Sequence, residues 1–417
     1  MKKRKFSKIR AVSASLLLVT LLASCNTGSG NGAETTLGAT DAQTPAVTQP
    51  QTPAAPVDKT LKKGVVCEIK GGDYRYQAWP SVCVDENGVL YAVSSGYRTG
   101  HIDPFGRNVM YISKDGGLTW SNPVIINDTL MDDRDAGILY LGNGKMLVSF
   151  FYNAPSSMYK QYESGASEAV QDVLDDWKAL PEEQQKTGGS YVILSDDYGL
   201  NWGEPIRVPI SAPHGPQLLS NGKLLYIGNP HFANGDSSTG YEPRIEAWES
   251  ADGGKTWTKV GRIPCQKRAF EPHVVELPDG SLLAALRVDD DDSAADMHTI
   301  YLSRSTNGGK SWTVAKPTNW DGFPPHLMVH SSGALIVTYG VRSAPCGTRA
   351  RVSYDNGNTW SDEIILNDDA PHGDCGYPCS AELPDGSIVT VYYQAIKQGD
   401  PCSILYTKWW VEKEMPQ

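Results

Sequence analysis

This 417-residue chain has no Cys-x-x-Cys pair, no apolar run long enough to span a bilayer and no basic patch in its main body. Each absence removes a class of protein. Cys375 and Cys379 stand four apart without a second pair or a convincing His partner, so a zinc centre is not expected, and no metal or cofactor is called for. The apolar stretch Ala11–Ala23 is too short for a membrane span. Acids outnumber bases 48 to 37, and the formal charge of −11 becomes −17 once the six bases of residues 1–24 are set aside. Such a domain is a poor partner for nucleic acid. With 41 Gly, 20 Tyr and 11 Trp, the composition suits short strands and tight turns better than a helical fold.

The first 24 residues read as a targeting segment. A basic start (Lys2, Lys3, Arg4, Lys5, Lys8, Arg10) precedes the apolar stretch, and Leu21-Leu22-Ala23-Ser24-Cys25 follows. This order resembles a bacterial lipoprotein signal, which implies cleavage before Cys25, lipid on its sulfur and an exported protein held at the membrane or cell surface through that anchor alone. Residues 25–61 are Gly, Ser, Thr, Ala, Gln and Pro with almost no large apolar side chain, the composition of a flexible tether. The folded domain is expected over 62–417. Seven cysteines remain beyond Cys25, and export permits disulfides among them.

Two repeats interleave through this domain. The pattern Ser-x-(Asp/Asn)-x-Gly-x-(Thr/Ser/Asn)-Trp occurs five times, ending at Trp120, Trp202, Trp257, Trp312 and Trp360. A Gly followed by an apolar strand occurs six times, at Gly88, Gly144, Gly222, Gly280, Gly333 and Gly386, spaced 56, 78, 58, 53 and 53 residues apart. Periods near 50 with about four strands per unit predict propeller blades, so the fold class is all-β, a six-bladed β-propeller. Ring closure requires the last blade to be completed by Ser403–Trp410 or by Gly64–Ile69. The 78-residue interval holds an insertion at about 155–187, within which Ala166–Leu180 reads as a helix.

One offset locates a site. Nine residues before each turn Gly stand Trp79, Asp135, Pro213, Glu271, Pro324 and Tyr377, with His214 and His273 just beyond the same frame. The return strands end near Arg98, Arg287 and Arg342. A hairpin brings the start of its first strand beside the end of its second, so both sets are expected on one rim of the channel. Arginines there present planar forks to carboxylate or sulfate groups. The Asp/Trp turns sit on the outer hairpins and are expected to be structural.

These features resemble the bacterial sialidases (neuraminidases). The five turns look like that family's Asp-box repeats. The order Glu271, Arg287, Arg342, Tyr377, in the contexts Phe270-Glu-Pro272, Tyr339-Gly-Val-Arg342 and Gly376-Tyr-Pro378, is similar to its catalytic Glu, two clamp arginines and nucleophilic Tyr. The resemblance implies Tyr377 as nucleophile, Glu271 as its base and Asp103, near Arg98, as the acid/base. It implies Arg287 and Arg342 as holders of a substrate carboxylate, and a glycan or glycoconjugate as partner. The chain departs from the family at Tyr76-Gln-Ala-Trp-Pro-Ser81, where Ala78 stands in place of a first clamp arginine and Arg75 and Arg98 are the nearby replacements. Asp135, Trp79, His214 and His273 complete the candidate binding set. The expected activity is exo-release of a terminal anionic sugar, sialic acid first, with retention. A hydrolase or lyase for another uronic or neutral sugar, a glycan-binding propeller and a scaffold stay open.

Overall fold

The computed structural model describes residues 59–101, 103, 106–153, 168–185, 188–230, 244–289 and 298–411. The signal-like segment, Cys25 and the tether up to 58 lie outside them. Six four-stranded antiparallel sheets make up the propeller. The first strands of blades 1 to 6 are Tyr76–Val84, Asp132–Gly142, Gln217–Leu218, Arg268–Glu276, Pro325–Val329 and Gly376–Glu382. These inner strands pack against one another around the ring axis. Both closing segments named from the sequence enter blade 6: Cys402–Trp409 is its third strand, and the N-terminal strand Lys62–Cys67 pairs with it from Lys62↔Lys408 to Cys67↔Ile404. Hydrogen bonds between the two ends of the domain thus shut the ring.

Alternate side chains of a strand pack toward the blade on either side, so the middle strands are buried on both faces. Ala78, Val82, Leu90 and Val109 of blade 1 pack with Ala381, Val389, Val391 and Ile404 of blade 6. Val275, Leu283 and Ile300 of blade 4 meet Leu327, Leu335 and Val337 of blade 5 in the same way. In the insertion a helix runs Glu168–Lys178, inside the span predicted from sequence. Its Leu174 and Trp177 are buried beside Met131, Phe150 and Tyr152, which anchors it to blade 2.

The Asp/Trp turns link the third and outer strands and share one hydrogen-bonding plan. The Ser hydroxyl donates to the side chain at Asp115, Asp197, Asp252, Asn307 and Asp355. That side chain accepts the amide four residues on. The Trp120, Trp257, Trp312 and Trp360 indoles donate back to the turn Gly carbonyl. These contacts are internal to each turn.

The inner strands carry a second repeated device. Trp79, Asp135, Glu271 and Tyr377 all have positive φ, at 54°, 51°, 40° and 51°. At each, the inner strand advances three residues while its partner advances two: Ala78↔Ser95 to Ser81↔Val93, Arg134↔Phe151 to Gly137↔Ser149, Phe270↔Arg287 to His273↔Ala285, and Gly376↔Tyr393 to Cys379↔Val391. This is a β-bulge with its extra residue in the left-handed region, a conformation that costs a side-chain-bearing residue about 1–2 kcal/mol. Pro follows Trp79, Glu271 and Tyr377, and its missing N–H suits a position where the ladder is interrupted. Blades 3 and 5 hold Pro213 and Pro324 at the equivalent positions, just ahead of shorter inner strands.

A chain beginning at Glu68 lacks the closing strand. Its melting temperature is expected to fall by roughly 5 °C or more, a few kcal/mol for a domain of this size. An unchanged melt, followed by circular dichroism, would show that the ring does not depend on that strand.

Candidate active site

The bulges converge on one cluster. The Tyr377 hydroxyl donates to Glu271 Oε1 at 2.5 Å, across from blade 6 to blade 4. Arg287, paired with Phe270 in the ladder, donates from Nη1 to Glu271 Oε2 at 2.9 Å and from Nε to Asp289 Oδ1 at 2.9 Å. His298 Nδ1 lies 2.8 Å from the same Asp289 oxygen, and against its burial these contacts hold the Asp289 carboxylate down at about 2. Arg342 donates from Nε to the Cys375 carbonyl at 3.0 Å and from Nη2 to the Tyr393 hydroxyl at 2.8 Å. Both guanidinium groups lie over the Phe323 ring, at 4.0 and 4.7 Å from its centre.

Electrostatics keep the tyrosine neutral. Burial raises the Tyr377 pKa well above its usual value, the Glu271 and Asp135 carboxylates add to the rise, and Arg287 and Arg342 oppose it. Asp135 is itself pushed up to about 7, first by burial and then by the Glu271 charge, with Arg134 and Arg98 pulling the other way. Its Oδ1 is buried and has no hydrogen-bond partner among the described residues. The nearest cation, Arg134 Nε, stands 3.7 Å away.

Trp79 forms another wall. It is 2% exposed, with the Arg134 guanidinium 4.0 Å over its ring, the His101 ring edge-on at 5.0 Å and the Tyr377 ring 6.4 Å away. Behind this wall the half-buried Asp374 carboxylate gathers the Tyr76 hydroxyl at 2.8 Å, the Tyr393 hydroxyl at 3.0 Å and His101 Nδ1 at 2.8 Å. Those bonds overcome its burial and hold it well below the usual carboxylate range. The Tyr393 hydroxyl thus ties Arg342 to this acid.

Among the other sequence candidates, Arg98 stands behind the Trp79 wall, its guanidinium 4.9 Å from the ring centre. Arg98 is fully buried in an ion pair with Asp132, and a Cβ at Gly106 would meet its Nη1 at 1.7 Å, which is why glycine stands there. Asp103 is also fully buried, and its Oδ2 accepts the Thr99 amide at 2.5 Å and the Thr99 hydroxyl at 2.7 Å. Arg75 lies half-buried just ahead of the blade 1 inner strand. His214 and His273 join His326 in a buried group with ring centroids 4.3–5.8 Å apart. The group lines a cavity of about 310 Å³ together with Val84, Glu276, Val329 and Glu382, which lie at the far ends of the inner strands. Burial depresses all three histidines, His273 to about 3, and His273 Nδ1 accepts the Leu327 amide at 3.0 Å. They fill the channel rather than face the acid and tyrosine. All seven described cysteines are free, and no cluster of His, Cys, Asp and Glu suited to a metal occurs among the described residues.

The offset reading passed over Arg134, His101, Asp374 and Tyr393. Tyr393 was within its reach, because it stands seven residues after Gly386 as Arg287 stands seven after Gly280. Arg134 directly precedes a frame residue; Asp374 and His101 lie in loops with no repeat to mark them.

The family profile of the BNR repeat-like domain matches residues 170–391, more than half of the chain. The chain belongs to the BNR repeat-like family. A BNR/Asp-box repeat profile matches residues 111–122, which contain the first Asp/Trp turn. This BNR repeat-like protein is 26% identical over 229 residues to the anhydrosialidase of Macrobdella decora, a stretch that spans 48% of this chain and only 28% of that protein. Among solved structures it resembles a protein of unknown function from Dyadobacter fermentans, with a TM-score of 0.67, 23% identity and coverage of 84% of this chain and 99% of that one. It also resembles the NanB sialidase from Streptococcus pneumoniae, with a TM-score of 0.58, 13% identity and coverage of 84% and 71%. At these identities the structural likeness establishes a shared fold, the six-bladed BNR/Asp-box propeller of sialidase-fold proteins.

Asp135 gives a pH-dependent stability with a definite sign. Its folded value, about 7, lies above the ordinary 3.8, so its neutral form is what the fold accommodates. The stability it contributes is full below about pH 4 and is lost as pH rises through about 7. Asp135→Asn, neutral throughout, is therefore expected to melt a few degrees above the wild type at pH 8 and level with it at pH 4. A variant that melts lower at pH 8 would contradict the burial argument.

Proposed function

We propose that the protein is an exo-acting glycoside hydrolase of sialidase type. It releases a terminal anionic sugar, sialic acid first among the candidates, with retention and through Tyr377 as nucleophile. The observation that carries this reading is the 2.5 Å hydrogen bond from the Tyr377 hydroxyl to Glu271. A phenol held neutral by burial is a weak nucleophile until a base takes its proton, and Glu271 is placed to do so. A neutral nucleophile also avoids repulsion from a sugar that carries a carboxylate on its anomeric carbon. Attack by Tyr377 Oη gives a glycosyl-enzyme; water then resolves it, and the two inversions sum to retention.

Arg287 and Arg342 would receive the substrate carboxylate. Both lie over Phe323, and Asp289, Cys375 and Tyr393 fix them from behind. Two features favour a second reading, a different acidic sugar. Ala78 puts no charge on the blade 1 wall, and Trp79 with Arg134 stacked on it shapes that side instead. The sialidases named above support carbohydrate chemistry for this chain by likeness of fold. In the same reading the segment before the propeller, with Cys25 lipidated, holds the enzyme at the cell surface as an exported lipoprotein.

The test is turnover of a fluorogenic α-sialoside beside neutral and uronic aryl glycosides. Release from the sialoside is expected, falling on the order of 10³-fold or more in Tyr377→Phe. Turnover of neutral glycosides alone, or activity surviving in Tyr377→Phe, would refute the reading. Arg342→Ala is expected to raise KM for the sialoside on the order of 10- to 100-fold, the worth of a charge-assisted contact. An equal loss on a neutral glycoside would remove the clamp.

A further inference from the structure

The hydrolysis proposed above needs a group that protonates the departing oxygen, and Asp103 is poorly placed for it. Both its contacts with Thr99 are short, the residue is sealed from solvent, and it would have to release the Thr99 amide and hydroxyl before reaching a substrate. Asp135 is buried as well, but its carboxyl is not tied up by donors in that way. It occupies on blade 2 the bulge position that holds Glu271 on blade 4 and Tyr377 on blade 6. Its backbone is pinned there by the Ser95 hydroxyl, which accepts the Asp135 amide at 2.9 Å. Its Oδ1 is buried and, among the described residues, finds no hydrogen-bond partner and no cation closer than Arg134 at 3.7 Å.

Resting on that proposed reaction, we infer that Asp135, and not Asp103, is the general acid and base of the site. The charged groups around it are Arg134 and Asp132 on its own strand, Arg98 of blade 1 and Glu271 across the ring. Their balance leaves a carboxyl that holds its proton near neutral pH and can still give it up, as an acid/base group must. In the first step Tyr377 Oη bonds to the anomeric carbon while its proton passes to Glu271. The bond from that carbon to the leaving oxygen breaks, its electron pair goes to the oxygen, and the Asp135 proton completes the departing alcohol. In the second step the Asp135 carboxylate takes a proton from water as the water oxygen bonds to the anomeric carbon. The tyrosyl oxygen leaves with its electron pair and regains its proton from Glu271. Protons and electrons balance over the cycle without any further reactant.

The experiment compares two sialosides of unlike leaving group, 4-methylumbelliferyl α-sialoside and 3′-sialyllactose, in wild type, Asp135→Asn, Asp103→Asn and Tyr377→Phe. A phenolic leaving group needs little protonation and a sugar alcohol needs much. Asp135→Asn is therefore expected to lose on the order of 10²- to 10⁴-fold in kcat/KM on sialyllactose but less than about tenfold on the aryl substrate. Added azide, which needs no base, is expected to restore aryl turnover in that variant. Thermal melting checks that each variant is folded, and the leaving-group ratio is a readout that loose packing alone does not move. Equal losses on both substrates in Asp135→Asn, or the leaving-group-dependent loss appearing in Asp103→Asn instead, would overturn the assignment while leaving Tyr377 as nucleophile intact. Wild type inactive on both sialosides, or Tyr377→Phe still active, would bring down the hydrolase reading and this inference with it.

Discussion

The site depends on one strained backbone conformation repeated around the ring. A residue with a side chain is held at positive φ on the inner strands of blades 1, 2, 4 and 6, and each bulge turns that residue out of the regular pleat. Two of these bulges bring Tyr377 and Glu271, on different blades, into a direct hydrogen bond. The strain, of order 1–2 kcal/mol per residue, is carried by the strands on either side and by ring closure through Lys62–Cys67. The two prolines of blades 3 and 5 leave their sectors without a chemical group, and Phe323, next to Pro324, instead provides the face on which Arg287 and Arg342 lie.

A second level of order comes from charge. Arg287 and Arg342 are each held by more than one partner: Arg287 by Glu271 and Asp289, Arg342 by the Cys375 carbonyl and Tyr393. Tyr393 in turn rests on Asp374, which also holds Tyr76 and His101. Prepaid positioning of this kind lowers the cost of orienting groups at the moment of reaction. It also separates the roles of the carboxyl groups. Glu271 faces a guanidinium, Asp374 is saturated with donors, and Asp135 alone of these three has a buried oxygen with no hydrogen-bond partner among the described residues.

Much of this was legible in the sequence because the fold is periodic. The turn glycines set the blade count, and the offset of nine residues picked out Trp79, Asp135, Glu271 and Tyr377, the four residues at the bulges. The same offset assigned the histidines less well. His214 and His273 are near the frame in sequence, but they turn into the channel toward His326. Arg98 and Asp103 illustrate another limit. Their positions suggested contact with substrate, yet Asp132 and Thr99 engage them in the interior, and partner choice between loops has no repeat to betray it. Arg134 and Asp374 escaped notice for the same reason, since their roles arise from contacts between blades.

The central claim is that the bulge of blade 6 presents a neutral tyrosine, activated by Glu271, as the group that bonds to the sugar. Incubation with 2,3-difluorosialic acid, which slows release of a glycosyl-enzyme, followed by mass spectrometry of the digested protein, tests it most directly. One sialosyl group on the peptide containing Tyr377, absent in Glu271→Gln on the same timescale, is the predicted result. A sialoside-active protein whose adduct maps to any other residue, or that turns over sialoside while never accumulating an adduct, would contradict it.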